Sequence, residues 1–410
     1  MAVAGFEIPA LLPVKGCQLG ATFADIKGVK PAKVVRDDVV VLRFAPGSSV
    51  AGVFTKNAFC AAPVTLCREY LGGAVEAFVI NAGNANACTG DQGLSHAKQT
   101  CQAAADIAGV KPHQIMPFST GVIGEPLPVS RLTTALPKAW ETLSEDNWLR
   151  AARGIMTTDT RPKGVSKTLI IDGKTVTITG ISKGAGMIKP NMATMLGYVV
   201  TDATIAQPLL QSILSRAADK SFNRITVDGD TSTNDSCMLV ATGGSGCAEI
   251  ASEDDANYPV IAQAITEVLM QLAHAIVADA EGATKFVAIN VQQGETSKES
   301  LRVAYAVAHS PLVKTALFAC DPNWGRIVAA IGYAGVQGLD ASKVNVFLGD
   351  VQIVANGARA ASYTEEAGQK VMDQDRITIT IELARGSAEE TVWTSDFSHE
   401  YVTINAEYRS

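Results

Sequence analysis

The residues best suited by type and spacing to chemistry lie near the middle of the 410-residue chain, in Ser182-Lys183-Gly184-Ala185-Gly186-Met187-Ile188-Lys189-Pro190-Asn191-Met192-Ala193-Thr194-Met195-Leu196-Gly197. A loop of Gly, Lys, Pro and Asn runs abruptly into an apolar segment, Met195 to Val200, and Ala193-Thr194 stands at the hinge. A threonine needs no histidine when it is the first residue of a chain. Its own α-amine, with a reference pKa near ~7.7–8.0, is partly neutral at pH 7 and lies beside the hydroxyl. The expectation is that the chain cuts its own Ala193–Thr194 bond and that Thr194 becomes the nucleophile of an acyl transfer. The five histidines, at 96, 113, 274, 309 and 399, point to no other base. None belongs to a His-Glu-x-x-His site, and Gly-x-Ser-x-Gly does not occur.

Two further stretches could serve such a reaction. In Met116-Pro117-Phe118-Ser119-Thr120-Gly121-Val122, a strand end turning at Thr120-Gly121 sets a hydroxyl beside a backbone N–H. That pair suits a developing oxyanion, although Thr-Gly turns are common and usually structural. The loop Asn81-Ala82-Gly83-Asn84-Ala85-Asn86-Ala87-Cys88-Thr89-Gly90 reads either as a tight turn or as the wall of a site, because Asn both donates and accepts. Thr157-Thr158-Asp159-Thr160 reads first as a capping or turn segment.

Phosphate binding at 183–189 fails on pattern. Lys183 precedes the glycines instead of following them, and Lys189 stands where a third Gly would be required. Ile225-Thr226-Val227-Asp228-Gly229-Asp230-Thr231 resembles the Asp-x-Asp-x-Thr motif of magnesium-dependent phosphatases, in which the first Asp attacks phosphorus. Asp350 could begin the later acidic pair of such a site, but Val354 stands where its partner is needed. Thr233 likewise spoils an EF-hand. An Asx-rich turn is preferred, and no metal site is expected.

These candidates must be held by a large core. Hydrophobic residues make up 47% and charged residues 18% of the chain, which suits a globular protein. The net charge of −7 comes without a basic cluster, which argues against nucleic-acid or anionic-membrane partners. The cysteines form no Cys-x-x-Cys pair and read as buried free thiols of a reducing compartment. No signal peptide and no apolar run of bilayer length is read, so a cytoplasmic location is expected. Strands are expected at 39–44, 49–55, 78–81, 168–171, 175–181, 195–201, 224–227 and 285–292. Helices are expected at 91–109, 129–155, 205–220, 255–277, 297–308 and 362–373, and Asp172-Gly173 signals a hairpin. The alternation makes the class α/β or α+β.

The central stretch closely resembles the cleavage signature of the ornithine acetyltransferase (glutamate N-acetyltransferase, ArgJ) family of arginine biosynthesis. Residues 81–90, Ser119 to Gly124, Thr157 to Thr160, Asp228 to Asp235 and Asp321-Pro322-Asn323-Trp324-Gly325-Arg326 resemble further family blocks in the expected order, so the resemblance spans the chain. It implies an αββα sandwich, similar to Ntn hydrolases but distinct in topology. It implies self-cleavage into α (1–193) and β (194–410) chains that pair as an α2β2 heterotetramer. Thr194 matches the nucleophile, and Thr120 and Gly121 match the oxyanion pair. Thr157, Lys183, Thr194, Glu281, Asn405 and Ser410 match substrate-binding positions. The implied reaction moves acetyl from N-acetylornithine to glutamate, without a cofactor. Members differ in whether acetyl-CoA also serves as donor, and no residue named here decides it. A self-processing aminopeptidase or amidase would share the nucleophile and pass the acyl group to water.

Overall fold

The computed structural model describes residues 3–28, 36–189 and 195–408. Two compact units divide the chain. The larger holds Ile8–Asn223 and Asp230–Ile276, and the smaller holds Met1–Glu7, Arg224–Gly229 and Val277–Ser410.

The larger unit contains strands β1 (Cys17–Thr22), β2 (Val39–Phe44), β3 (Ser49–Phe54), β4 (Ala77–Asn84), β5 (Ile115–Val122), β6 (Lys163–Ile171), β7 (Lys174–Lys183), β8 (Leu196–Thr201) and β9 (Ser236–Ala241). Its helices are α1 (Ala62–Tyr70), α2 (Gly90–Ala108), α3 (Val129–Glu141), α4 (Trp148–Gly154), α5 (Gln207–Lys220) and most of α6 (Tyr258–Ala278). Among the described residues the strands form a four-stranded sheet, β1-β2-β4-β5, and a five-stranded sheet, β3-β9-β8-β7-β6. Successive side chains of β2 explain why it reads as an unbroken apolar run. Val40, Leu42 and Phe44 enter the core between the sheets, whereas Val39 and Val41 face α2 and α3. Tyr198 and Val200 of β8 meet Phe78 and Phe118 in the same inter-sheet core. On the outer face of the second sheet, Gly180 leaves room for Val268 and Leu272 of α6. Gln211 of α5 bonds Gly52 of β3 on the same sheet. The layers are therefore helix, sheet, sheet, helix, as expected.

Three expectations need correction. The helix at 129–155 is two helices, because Asn147 donates to the Thr142 carbonyl at 2.7 Å and Thr142 Oγ1 to the Ala139 carbonyl at 2.9 Å, giving the backbone a turn in place of a helix. Arg224–Val227 makes only a single bridge, Ile225 to Trp393, before the Asp228-Gly229 turn stops it. Finally, α6 is long and apolar enough by length and composition to cross a membrane. Its packing on β7 identifies it as a core helix.

The smaller unit is built on β10 (Phe286–Gly294), β11 (Asn345–Leu348), β12 (Val351–Ala355), β13 (Ala358–Arg359), β14 (Arg376–Glu382) and β15 (Ala388–Ser395), in the order β13-β12-β11-β14-β10-β15. Helices α7 (Ser297–Ala308), α8 (Pro311–Phe318), α9 (Trp324–Gly332) and α10 (Glu365–Met372) accompany it, and α11 (His399–Ala406) is the last helix among the described residues. Asn323 caps α9 at the Arg326 N–H, and Arg326 Nη1 donates to the Leu312 carbonyl at 2.7 Å. The Asp321–Arg326 block thus locks α8 to α9. All eight cysteines are free; Cys17, Cys67, Cys101, Cys237 and Cys247 are buried as expected, but Cys88 is exposed.

Candidate active site

Lys183 is the last residue of β7, and the chain leaves the sheet there into the Gly-rich loop. In the register of the sheet it lies opposite Leu196, the first residue of β8. Its Nζ donates to Thr157 Oγ1 at 3.4 Å. Between these two segments sits Asp159, whose side chain is fully buried. Asp159 Oδ2 accepts the Thr157 N–H at 2.9 Å; Oδ1 accepts the Gly184 N–H at 2.7 Å and Lys163 Nζ at 2.5 Å. Burial pushes the Asp159 carboxyl up. The Lys163 and Lys183 ammoniums, with the bonds from Lys163 and Gly184, outweigh burial and hold it well below the usual carboxylate range. The Thr157–Thr160 segment is a turn, as its composition suggests, and the turn clamps the start of the central loop.

Thr120 and Gly121 stand near the end of β5, opposite Ala82 and Gly83 of the parallel neighbour β4. Gly121 has φ +134°, and a Cβ there would lie 2.5 Å from the Asn84 nitrogen. Only glycine lets the two strand ends approach so closely. The Asn-rich loop supplies the locks. Asn81 Nδ2 donates to the Asn84 carbonyl at 2.8 Å, and Ser119 Oγ to Asn81 Oδ1 at 2.6 Å. Asn84 donates to the Glu125 and Pro126 carbonyls, and Asn86 to that of Gly93. The first half of the loop, expected as a tight turn or a site wall, continues strand β4 to Asn84, and its Asn side chains hold backbone.

The segment Thr233–Ser236 ties this strand end to the start of β8. Asn234 Nδ2 donates to the Ala85 carbonyl at 2.5 Å and to the Ser119 carbonyl at 2.9 Å. Two residues on, the Ser236 N–H donates to the Met195 carbonyl at 3.0 Å. The residue before Thr120 and the residue after Thr194 thus flank one short stretch. Ala193, Thr194 and Ser410 themselves lie outside the described residues.

Glu281 and Asn405 belong to the smaller unit, where Asn405 Nδ2 donates to Glu281 Oε2 at 2.7 Å. The bond ties α11 to the turn after α6. Asp228, also in the smaller unit, accepts from Tyr401 Oη at 3.3 Å. In the larger unit Asn57 and Thr55 donate to the Thr231 and Ser232 carbonyls. The composition of the stretch before β9 predicts an Asx-rich turn satisfying its own backbone; instead, side chains from elsewhere, Tyr401, Asn57 and Thr55, donate to it. Among the described residues no three His, Cys, Asp or Glu side chains are grouped to hold a metal ion.

Sequence reasoning missed Lys163 and Asn234 as parts of this architecture. The available signal was a basic residue opening a strand, and an Asn two residues before another.

Comparison with known proteins identifies the family of the chain. The ArgJ family model matches residues 19–410. The chain is 57% identical to the arginine biosynthesis bifunctional protein ArgJ of Pseudomonas syringae pv. tomato, over all of both chains. It is 58% identical to the protein of that name from Pseudomonas fluorescens, again over all of both. A crystal structure of the arginine biosynthesis bifunctional protein ArgJ from Bacillus halodurans aligns with TM-score 0.50 and 34% identity, covering 52% of this chain and 99% of that one. With a family match that runs to the last residue and relatives more than half identical throughout, the chain belongs to the ArgJ family.

Proposed function

We propose that this chain is an acetyltransferase of arginine biosynthesis that moves acetyl from N2-acetylornithine to glutamate through an ester on Thr194, after cutting itself between Ala193 and Thr194. Thr194 Oγ attacks the Ala193 carbonyl, and the C–N bond breaks as the ester forms. The Oγ proton passes to the α-amine freed in that step, and water then cleaves the ester to release the Ala193 carboxylate and the Thr194 hydroxyl. In turnover that amine takes the Oγ proton as Oγ attacks the acetyl carbon, and ornithine leaves with its amine protonated. The glutamate amine then attacks the acetyl ester, the C–O bond breaks, and Oγ regains its proton, which completes a ping-pong cycle. Thr120 and Gly121 stabilise the oxyanion in both stages. Thr157, Lys183, Glu281, Asn405 and Ser410 hold substrate, with the Lys183 ammonium against the α-carboxylate that both amino acids share.

The observation that carries this reading is the full-length identity with proteins named for arginine biosynthesis. Support for the cut comes from the Bacillus halodurans relative, whose whole chain corresponds to about half of this one, as 194–410 would. The relatives' description as bifunctional supports acetyl-CoA as a second donor. Cytoplasmic location and an α2β2 assembly complete the proposal.

The test is an intact mass under denaturing conditions. Two species summing to the 42.9 kDa chain plus one water, one beginning at Thr194, are expected. Transfer from acetylornithine and then acetyl-CoA to glutamate is assayed next. Acetate release independent of an amine acceptor would indicate the amidase instead, and a single uncut, active chain would overturn the mechanism.

A further inference from the structure

The peptide that leads into Thr157 has a charged side chain at each pole. Its carbonyl, that of Met156, accepts from Arg36 Nη2 at 2.6 Å, and its N–H, that of Thr157, donates to Asp159 Oδ2 at 2.9 Å. A cation on the carbonyl and an anion on the N–H oppose rotation of the peptide plane, because both charge-assisted bonds would be lost together. The backbone around Arg36 is anchored separately. Asp37 accepts from Arg150 Nε of α4 at 2.7 Å, and Asp38 accepts the Ala24 and Ile26 N–H groups. At the end of α4 a Cβ on Gly154 would lie 2.5 Å from Val40 Cγ2, so glycine lets the helix close onto the start of β2. Two arginines thus join residues 36–37 to residues 150–156, one through a carboxylate and one through a backbone carbonyl. The second link ends on the residue before a proposed substrate contact.

We propose that Arg36 is a positioning residue for the reaction: it fixes the Met156–Thr157 peptide so that the Thr157 hydroxyl meets the bound amino acid. Thr157 Oγ1 accepts from Lys183 Nζ at 3.4 Å. A hydroxyl that accepts in this way still has its own hydrogen to donate, and an oxygen of the substrate supplies the acceptor. Arg36 acts through Thr157 and does not touch the substrate. The inference rests on the reading of Thr157 as a substrate-binding residue, and the variants separate the two.

The experiment measures KM for acetylornithine and for glutamate, kcat, and the half-time of self-cleavage. It uses the unmodified protein and the Arg36→Met, Thr157→Ala and Arg36→Met/Thr157→Ala variants. Arg36→Met is expected to raise both KM values about tenfold with kcat within about threefold, because a substrate-holding hydroxyl serves ground state and transition state alike. In the Thr157→Ala background the same substitution is expected to change KM by less than about twofold, since the group it positions is gone. Self-cleavage is expected to keep its half-time, because it binds no free amino acid. Effects on KM that multiply in the double variant overturn the proposal, since Arg36 would then act by another route. So does a chain that no longer cuts itself, which would make Arg36 a general support of the central loop. Should Arg36→Met fail to fold, Arg36→Gln, shorter and neutral, is carried through the same cycle under the same criteria. An unchanged KM in Thr157→Ala sinks the reading of Thr157 and the inference with it. A raised KM there, beside an unchanged one in Arg36→Met, sinks the inference alone.

Discussion

Lys314 offers a quantitative test of how the C-terminal helix is held. It lies in α8, fully buried; its Nζ donates to Thr394 Oγ1 at 2.9 Å and to the Ser395 carbonyl, and stands 4.5 Å from the centre of the Phe397 ring. Phe397 in turn stacks on Tyr401 of α11, the helix that carries Asn405 to Glu281. Burial lowers the Lys314 pKa from 10.5 to about 7, against the opposing pull of Asp396 and Asp228. In the unfolded chain the ammonium persists to its ordinary pKa. Between pH 7 and 10.5 the unfolded state therefore binds more protons, and stability rises with pH; below 7 both states are protonated and the burial penalty is complete. The whole window is worth about 5 kcal/mol, with a slope near 1.4 kcal/mol per pH unit at its centre. The buried thiols Cys17, Cys67, Cys101 and Cys237, whose pKa values burial raises, contribute with opposite sign once unfolded thiols ionise. The assay must therefore be a difference. Urea unfolding of the Thr194→Ala chain is compared with Thr194→Ala/Lys314→Met at pH 7, 8 and 9. The stability of the lysine protein relative to its Met variant is expected to climb by roughly 2–3 kcal/mol from pH 7 to 9. Parallel curves would refute the reasoning, since they would mean that folding does not shift Lys314's protonation.

Three more outcomes follow from the site. Thr194→Ala is expected to give a single, inactive chain by denaturing mass measurement; a cut product would exclude Thr194 as the cleaving group. Gly121→Ala must force a Cβ against Asn84 at φ +134°, and is expected to lower both cutting and turnover about 10²–10³-fold, measured as processing half-time and kcat. Normal kinetics in a folded Gly121→Ala enzyme would remove the residue from the oxyanion pair. Asn234→Ala leaves the buried Ala85 and Ser119 carbonyls without their side-chain donor, and a loss of about 2–4 kcal/mol in urea unfolding of the uncut chain is expected.

Much of the fold could be read because local chemistry agreed with tertiary structure. Asp172 and Gly173 have φ +50° and +73°, the turn their residue types favour. Helix α7 spans 297–308 as read, because Thr296 caps it at the Glu299 N–H. Where polar side chains gave the backbone another partner, as at Thr142 and Asn147, apolar periodicity ran straight across a break. Short elements such as α1, α8 and β1 carried too few periodic residues to be read. The site divides in the same way. Gly121 was legible from its type, whereas the joining of Thr157, Asp159, Lys163 and Gly184 depends on contacts up to 25 residues apart that no local pattern encodes.

The placement of the expected cut explains how one precursor can become two chains without losing its core. A new chain end ordinarily frays, and a nucleophile on a fraying end cannot hold its amine and hydroxyl in register with a substrate. Here the residues that follow Thr194 enter β8, a strand bonded along both edges, to β7 before the cut and to β9 after it. Its first turn of the ladder already fixes Met195 to Ser236 and sets Leu196 opposite Lys183. Leu196, Tyr198 and Val200 anchor it between the sheets. Breaking the 193–194 bond would remove none of these interactions, so β7 and β8 would stay paired although the proposed cut assigns them to different chains. The same register brings Lys183, eleven positions upstream of the proposed nucleophile in sequence, beside the strand that begins two residues after it. The end of β7 and the start of β8 thus lie side by side at one end of one sheet, with the proposed charge for the substrate on the first and the proposed cut shortly before the second in sequence.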